Sequence, residues 1–330
     1  MKNLTSKLIG TAVCWLSAMM MLAGAASAEV GHPVSGQIGL QGSVTPVMDE
    51  ITSFYGMVNM IIIAIAIFVL ILMVFVMVRF NRKSNPEPSK TTHNTLVEVV
   101  WTVVPILILV FIGIYSFRLL FLQYEYPKPD LTVKAIGNAW YWEHVYQDYD
   151  EVSVVSNILT DADMLKRKMG DDEFDKKYGS LSGTELHDRL YRDALPLWQE
   201  YNLVRKLSVD NEIAVPVNAV VHVLVTSNDV IHGWAVPSFG TRVQAVPGRT
   251  TATWFKARQT GIFYGQCAVL CGLKHSAMPL AIRVVEKDVF DKWMAAVKAD
   301  KLDEARQILA DAGSKDRQDD QKVASTTAAR

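Results

Sequence analysis

Two long uncharged blocks dominate the pattern of hydrophobic and polar positions along this chain. Residues 51–78 form the first block and residues 99–117 the second, and neither contains Asp, Glu, Lys or Arg. Each block exceeds the ~18 apolar residues expected of a membrane-spanning helix, whereas a core helix of a soluble protein rarely stays uncharged for so long. We therefore predict transmembrane helices over residues 51–78 and 97–123.

The polar segments around these helices predict the orientation of the chain. The connecting loop, residues 79–96, is rich in Lys and Arg, and short loops of this kind favour the cytoplasmic side of a bacterial inner membrane. Residues 29–50 and the large C-terminal part would then face the periplasm. Residues 1–28 have lysines before an apolar core and end in Ala-Ser-Ala, which predicts a cleaved secretory signal peptide.

Beyond the second helix the pattern changes to short β-branched and aromatic runs separated by Pro, Gly and Asn. Such runs predict an all-β sandwich or barrel over residues 124–286. Residues 148–202 interrupt this pattern, because they are highly charged and carry apolar residues at helical spacing, and we expect a helical insertion there. Residues 287–330 predict one or two amphipathic helices followed by a disordered polar tail.

Composition agrees with a membrane-anchored protein. Hydrophobic residues make up 50% of the 330 positions, and their excess is concentrated in the two uncharged blocks. This is too apolar for an ordinary soluble domain, so the lipid bilayer is an expected partner. We expect no nucleic-acid partner from a chain whose formal net charge is −1.

Five soft or borderline metal donors lie in the second half of the predicted β-domain. The two cysteines flank three residues, a histidine and a methionine follow at once, and another histidine lies upstream after an apolar run. Thiolate and thioether favour copper, and imidazole suits copper or zinc. One blue-copper ion would use two His, one Cys and a weak Met, so the second cysteine indicates two copper ions. The five donors are His232, Cys267, Cys271, His275 and Met278.

Simpler interpretations of the cysteines remain open. The third cysteine, Cys14, lies in the predicted signal peptide, so the mature chain would hold only the Cys267–Cys271 pair. Two cysteines in an oxidising compartment can form one disulfide, although a disulfide has no need of His and Met nearby. Zinc is a weaker candidate than copper, because its structural sites do not recruit Met. The histidines that we assign to no metal are His93, His187 and His222.

The donors fall at the ends of predicted strands, and this placement indicates what the site does. A loop between two strands can wrap its donors around a centre, while His232 arrives from a neighbouring strand end, as in cupredoxins. Two thiolates of one loop can each bridge both metals, leaving one His per metal. Such a caged site has no open position for substrate, so we infer an electron relay.

A set of specific motifs runs through the chain in order: HNTLVEVVWTVVP, WYW, TSNDVIHGWAVPSFG, AVPGR, GIFYGQC and CAVLCGLKHSAMP. With these motifs the chain resembles subunit II of bacterial haem-copper cytochrome c oxidases. The resemblance covers both membrane helices and the β-domain, apart from the insertion and the tail. It implies a two-helix transmembrane hairpin followed by an all-β cupredoxin-like periplasmic domain with Greek-key topology and a helical insertion.

The resemblance also implies a dinuclear copper centre, CuA, that accepts electrons from cytochrome c and passes them to haem in subunit I. Its ligands would be the five side chains above and the backbone carbonyl of Val269. Trp140 resembles the position where electrons enter, and a packed core aromatic is the alternative. Glu98 resembles a glutamate at the entrance of a proton channel in subunit I, and a solvated carboxylate at a helix start is the alternative. Haem, CuB, oxygen reduction and proton pumping would belong to subunit I, and subunits I and III would be partners.

The chain departs from the pattern of this family at positions that matter. Val269 stands where the family usually has Glu, so we predict that the usual subunit II ligand to magnesium is absent. Gln244 likewise replaces a common Asp. Fewer acidic groups near Trp140 would weaken the attraction for a basic cytochrome, because steering depends on the local field. Candidates to compensate are Glu143, Asp148, Asp150 and Glu151.

Three rival functions differ in features that the sequence contains. A quinol oxidase subunit II would lack the copper ligands, which this chain retains. A thioredoxin-like copper-delivery protein has proline after its second cysteine, where this chain has Gly272. A diverged copper-binding oxidase paralogue is the third rival, and Val269 is its best support.

Overall fold

The computed structural model describes residues 31–87 and 89–313. The predicted signal peptide with Cys14 and most of the predicted polar tail lie outside the described residues.

Two long helices form the predicted hairpin. Helix α1 spans Pro46–Arg79 and helix α2 spans Thr95–Tyr124. Thr45 and Asn94 cap them, because each side chain accepts a hydrogen bond from an amide of the first turn. Both helices are long and apolar enough to cross a membrane, and neither apolar window is buried within the protein.

The outer end of α1 is attached to the β-domain. The helix begins at Pro46, upstream of the predicted start at residue 51, because proline suits the first helical position and Thr45 caps it. Thr45 Oγ1 donates a 2.8 Å hydrogen bond to the carbonyl oxygen of Phe239. Met48 is buried at the same junction. The membrane hairpin and the β-domain are therefore joined by packing as well as by the chain.

Among the described residues, ten strands follow the hairpin and form three sheets. The sheets have the orders β3-β2-β1-β5-β8, β4-β10-β9 and β6-β7. Strands β1 and β5 run parallel, and so do β4 and β10, whereas the other neighbours are antiparallel. The predicted cupredoxin-like β-domain is confirmed. The strands are β1 Leu131–Asn138, β2 Tyr141–Tyr146, β3 Val152–Ser156, β4 Ile213–Pro216, β5 Val221–Ser227, β6 His232–Val236, β7 Thr241–Ala245, β8 Thr251–Phe255, β9 Gly261–Gln266 and β10 Pro279–Val285.

An aromatic core fixes the strands that lead to the metal donors. Side chains of β1 and β5 alternate between buried and partly exposed positions, so one face of the large sheet lies against the core. Trp142 and Trp234 are completely buried. Phe239 stacks on Phe255 with ring centroids 4.4 Å apart. Close packing of this kind holds strand ends in place, which a rigid site requires.

The helical insertion has a small core of its own. Helices α3 Asp161–Met169, α4 Asp171–Tyr178 and α5 Gly183–Glu200 pack together around buried side chains that include Met164 and Trp198. The helices start at Asp161, because residues 152–156 form strand β3 of the large sheet. The helical part is therefore shorter than the predicted insertion over residues 148–202.

Two further helices close the β-domain. Helix α6 spans Lys287–Lys298, and a last helix, α7, covers residues 302–313. Phe290 and Trp293 of α6 are buried and lie against the ring of Tyr146. The amphipathic pattern predicted for this region thus covers one side of the sandwich.

Candidate metal centre

Two loops of the sandwich bring the predicted donors together. Strand β9 ends directly before Cys267, β10 begins directly after Met278, and β6 begins at His232. The amide of Cys267 donates to the carbonyl oxygen of Met278 at 3.1 Å, which closes the base of the loop. The amide of Ala268 donates to the carbonyl oxygen of Gly233 at 2.9 Å, which ties this loop to β6.

The sulfur and nitrogen atoms converge on one small volume. The two cysteine Sγ atoms lie 3.7 Å apart, and both cysteines are free thiols. His232 Nδ1 lies 3.9 Å from Cys267 Sγ, and His275 Nδ1 lies 3.6 Å from Cys271 Sγ. Met278 Sδ is 3.9 Å from Cys271 Sγ. The five donors predicted from sequence therefore meet at one place.

The donors divide into two similar sets. Cys267 has His232 on one side and the carbonyl oxygen of Val269 at 3.3 Å from its Sγ. Cys271 has His275 and the Met278 thioether. His232 and the two cysteines alone form a buried group that could hold a metal ion. Soft thiolates with one imidazole in each set fit copper better than a hard cation.

Burial determines the protonation of the Cys271 thiol. Removal from water raises the pKa of the Cys271 thiol to about 12, and the neighbouring Cys267 adds to the effect. Without a metal, Cys271 is therefore a neutral thiol at ordinary pH. A bound metal must displace its proton, because thiolate is the form that coordinates.

A carboxylate orients one of the histidines. His232 Nε2 lies 2.7 Å from Asp229 Oδ1, which leaves Nδ1 facing the sulfur of Cys267. Asp229 also accepts hydrogen bonds of 2.6 Å from the amides of Ala139 and Val230. Partial burial opposes ionisation, but the bonds from His232 and these amides outweigh it and hold the pKa of Asp229 below its usual value. Carboxylate–histidine pairs of this kind fix a metal-binding ring in position.

Trp140 lies against the donor loop. Its Nε1 donates a 3.1 Å hydrogen bond to the carbonyl oxygen of Cys271. The ring is only partly buried, unlike the ring of Trp142, which has no exposed surface. The described structure therefore gives Trp140 both a connection to the site and access to the surface.

Glu98 is not part of this site. It lies in the first turn of α2, where its side chain accepts a 3.3 Å hydrogen bond from the amide of Asn94. Helix α2 has 30 residues and is about 45 Å long at the usual rise per residue. The donor loop belongs to the domain that follows the other end of this helix. The contact with Asn94 is what a carboxylate at a helix start makes. The role of Glu98 in a proton channel stays a prediction.

Three of the proposed compensating acids lie away from Trp140. Asp148, Asp150 and Glu151 follow the far end of β2, a strand about 16 Å long at the usual rise. The carboxylate of Asp150 pairs with Lys298 at 2.7 Å, and the carboxylate of Asp148 accepts from the amide of Thr132. These three groups do not lie around the ring of Trp140, and their compensating role stays a prediction.

Two residues that support the site were not predicted from the sequence. Asp229 holds His232, and Arg242 of β7 donates a 3.1 Å hydrogen bond to the carbonyl oxygen of Ala268 between the cysteines. The position of Asp229, three residues before a predicted ligand, was a usable signal. Arg242 gave none, because only the folding of β7 beside the loop brings the two together.

Fold and donors together define a membrane-anchored cupredoxin-like protein with a sulfur- and imidazole-rich metal centre. The sequence profile described as "Cytochrome C oxidase subunit II, periplasmic domain" matches residues 196–285, and that of the "transmembrane domain" matches residues 33–119. The chain belongs to the cytochrome c oxidase subunit II family, and the resemblance stated from its motifs is confirmed. It is a two-pass membrane protein and a subunit of a haem-copper oxidase complex.

Relatives cover most of the chain. The "Probable cytochrome c oxidase subunit 2" of Rickettsia bellii is 39% identical over 265 residues, which are 80% of this chain and 86% of that protein. The corresponding protein of Cereibacter sphaeroides is 38% identical over 268 residues, 80% of this chain and 82% of its own. The periplasmic domain of subunit II of cytochrome oxidase from Bradyrhizobium japonicum is 39% identical, with 53% of this chain and 99% of that domain covered at a TM-score of 0.40.

Proposed function

We propose that this chain is the electron-input subunit of its oxidase and holds two copper ions as a CuA centre. The observation that carries the proposal is the division of the donors into two similar sets around a pair of sulfurs 3.7 Å apart. The ligands would be His232, Cys267, Cys271, His275 and Met278, with the carbonyl oxygen of Val269. Two copper ions sharing these thiolates would supply one-electron chemistry.

The residues of the chain are arranged to keep such a site rigid and closed. His232 and Met278 are fully buried, and both cysteines are nearly so. The loop is attached to the sheet at its base and at Ala268, so the donors have little freedom to move when the charge changes. A site with fixed donors and no position left for substrate suits electron transfer.

The proposed direction of transfer follows from the position of Trp140. Reduced cytochrome c would dock on the periplasmic face near this ring, which is bonded to the loop through the carbonyl oxygen of Cys271. Electrons would leave toward haem in subunit I, where haem, CuB, oxygen reduction and proton pumping belong. Subunit III would complete the complex, and Glu98 is the proposed contact with the proton channel of subunit I.

A single substitution tests the proposal. Cys271→Ser should abolish stoichiometric copper binding and cytochrome c oxidation by the complex, while membrane insertion and the far-ultraviolet circular dichroism spectrum stay unchanged. Ser276→Ala, on the same loop, is the matched control and should retain both properties. Full turnover or undiminished copper content in the Cys271 variant would contradict the proposal.

A diverged copper-binding oxidase paralogue is the second candidate, because Val269 removes a carboxylate that the family usually has. This candidate shares the metal centre but not the oxidase. Co-purification with a haem-bearing subunit that reduces oxygen distinguishes them: the electron-input subunit should bring that activity with it, whereas a paralogue of separate function would not.

A further inference from the structure

The surface around Trp140 is apolar. Of the described residues beyond α2, the most exposed large apolar side chains are Leu273 and Leu270, which are 95% and 80% exposed and belong to the loop that carries the cysteines. Val230 and Ile231, on the loop that leads into β6, are 46% and 44% exposed. Single exposed apolar residues are common, but a group of them beside a functional site indicates a binding surface.

Contacts place both loops beside the indole. The carboxylate of Asp229 accepts a hydrogen bond from the amide of Ala139, so the loop with Val230 lies next to the residue that precedes Trp140. A Cβ atom on Gly272 would lie 3.2 Å from the ring of Trp140, so Leu273 directly follows a residue in contact with the indole. We call Trp140, Val230, Ile231, Leu270, Leu273 and Lys274 the indole surface.

The charge presented at the indole surface is positive. Lys274 Nζ lies 5.9 Å from the centroid of the Trp140 ring. The nearest acidic residue in either loop, Asp229, directs its carboxylate to His232 and to the amides of Ala139 and Val230. A lysine-rich face approaching Trp140 would therefore meet the Lys274 cation at the ring, whereas the Asp229 carboxylate is already engaged in hydrogen bonds.

We propose that the indole surface docks a soluble electron-donor protein mainly by apolar contact, and that this donor has neutral or acidic groups around the exposed edge of its redox cofactor. This rests on the proposed function and specifies its partner. Burial of the leucines would supply the affinity, as apolar anchors do in protein interfaces. The Lys274 ammonium group beside the Trp140 ring would select against a strongly basic donor, because like charges across an interface disfavour binding.

Two probes of opposite charge test the role of Lys274. Binding of lysine-rich mitochondrial cytochrome c, and of the same protein with its lysines succinylated, is measured on the intact oxidase by surface plasmon resonance. The unaltered oxidase should bind the succinylated form more tightly than the basic form at low salt. In the Lys274→Glu variant the basic form should bind more tightly, with a change of about tenfold in the ratio of the two dissociation constants. The proposal is overturned if the unaltered oxidase binds the basic form more tightly and this binding is lost when the salt concentration rises from about 20 mM to about 200 mM.

A second variant tests the apolar contact. Leu273→Asp should weaken binding of both probes by about tenfold or more, with the copper spectrum and the association with subunit I unchanged. Leu195→Asp, at a 44% exposed position on α5, is the control and should change neither probe. Unchanged binding, or loss of subunit I from the Leu273 variant, would overturn the proposal. The copper spectrum of the unaltered protein tests the proposed function separately.

Discussion

The indole of Trp140 donates a 3.1 Å hydrogen bond to the carbonyl oxygen of Cys271. The following residue, Gly272, has a φ of +115°, and a Cβ there would lie 3.2 Å from the indole ring. Glycine is therefore needed for this close approach. The relationship joins a partly exposed ring to the backbone of a proposed ligand. The ring of Trp142 donates a 3.4 Å hydrogen bond to the carbonyl oxygen of Met278, another proposed ligand, but it is fully buried.

Removing the indole should slow electron input without removing the metal. Trp140→Phe keeps a ring but loses the hydrogen bond, and we expect reduction by cytochrome c to slow by about tenfold; Trp140→Ala should slow it by about a hundredfold. Stopped-flow absorbance of the oxidase measures the rate. Trp198→Phe, which loses a similar bond to Asp161 in the insertion, is the control. An unchanged rate of reduction by cytochrome c in both Trp140 variants would show that Trp140 has only a packing role.

Asp229 should tune the affinity of the site for metal. Asp229→Asn weakens the support of His232, and loss of such a partner lowers metal affinity by about 10- to 100-fold. The midpoint potential should rise, because a negative charge near the centre is lost. Copper competition with a chelator and a redox titration measure the two effects. Glu143→Gln removes a carboxylate bonded to Ser153 in the same domain and should change neither; an equal effect in both variants would contradict the role of Asp229.

A buried histidine should make the β-domain sensitive to acid. His144 is 1% exposed and accepts a 3.3 Å hydrogen bond from Trp234 Nε1. Burial lowers the pKa of His144 from 6.5 to about 3. Below pH 6.5 the unfolded chain therefore binds a proton that the folded chain does not. The free energy of unfolding falls as pH decreases from 6.5 toward 3, and the equilibrium constant of unfolding rises by about tenfold per pH unit.

The control for this prediction replaces the ionisable group. His144→Gln should lose this part of the pH dependence, although it is less stable at neutral pH, whereas His222→Gln should keep it. Thermal unfolding of the detergent-solubilised chain at pH 7 and pH 5, followed by tryptophan fluorescence, measures the difference. Equal shifts of the midpoint in the His144 variant and the unaltered protein would show that another group is responsible.

Val269 should determine whether the subunit supplies a ligand for a hard cation. We predict that Val269→Glu increases binding of Mn²⁺ to the intact oxidase, because carboxylate oxygen suits Mg²⁺ and Mn²⁺ and valine has no such donor. Val269→Gln is the control of similar size without charge. Mn²⁺ electron paramagnetic resonance measures occupancy. Equal occupancy in the unaltered oxidase and the Glu variant would contradict the prediction.

The sequence predicted the parts of the structure that depend on local pattern. The two uncharged blocks identified the membrane helices, and the spacing from Cys267 to Met278 placed four donors on one loop. The upstream His232 was assigned from residue type and motif. These inferences succeed because hydrophobic length and ligand chemistry are local properties.

What the sequence did not predict depends on contacts between distant segments. The β3 strand was assigned to the insertion, because its short run of Val and Ser is a weak signal without its partner β2. The acids after β2 were placed near Trp140, because distance along the chain hides the length of a strand. Arg242 reaches Ala268 only through the packing of β7 beside the loop. Pairing of this kind is tertiary information.

The most direct test of the central claim is copper analysis of the purified full-length chain combined with electron paramagnetic resonance. We predict two copper ions per chain and, in the oxidised protein, one unpaired electron whose hyperfine pattern shows equal sharing between two copper nuclei. A spectrum of a single isolated copper, a stoichiometric content of zinc, or a disulfide between Cys267 and Cys271 in the working oxidase would contradict it.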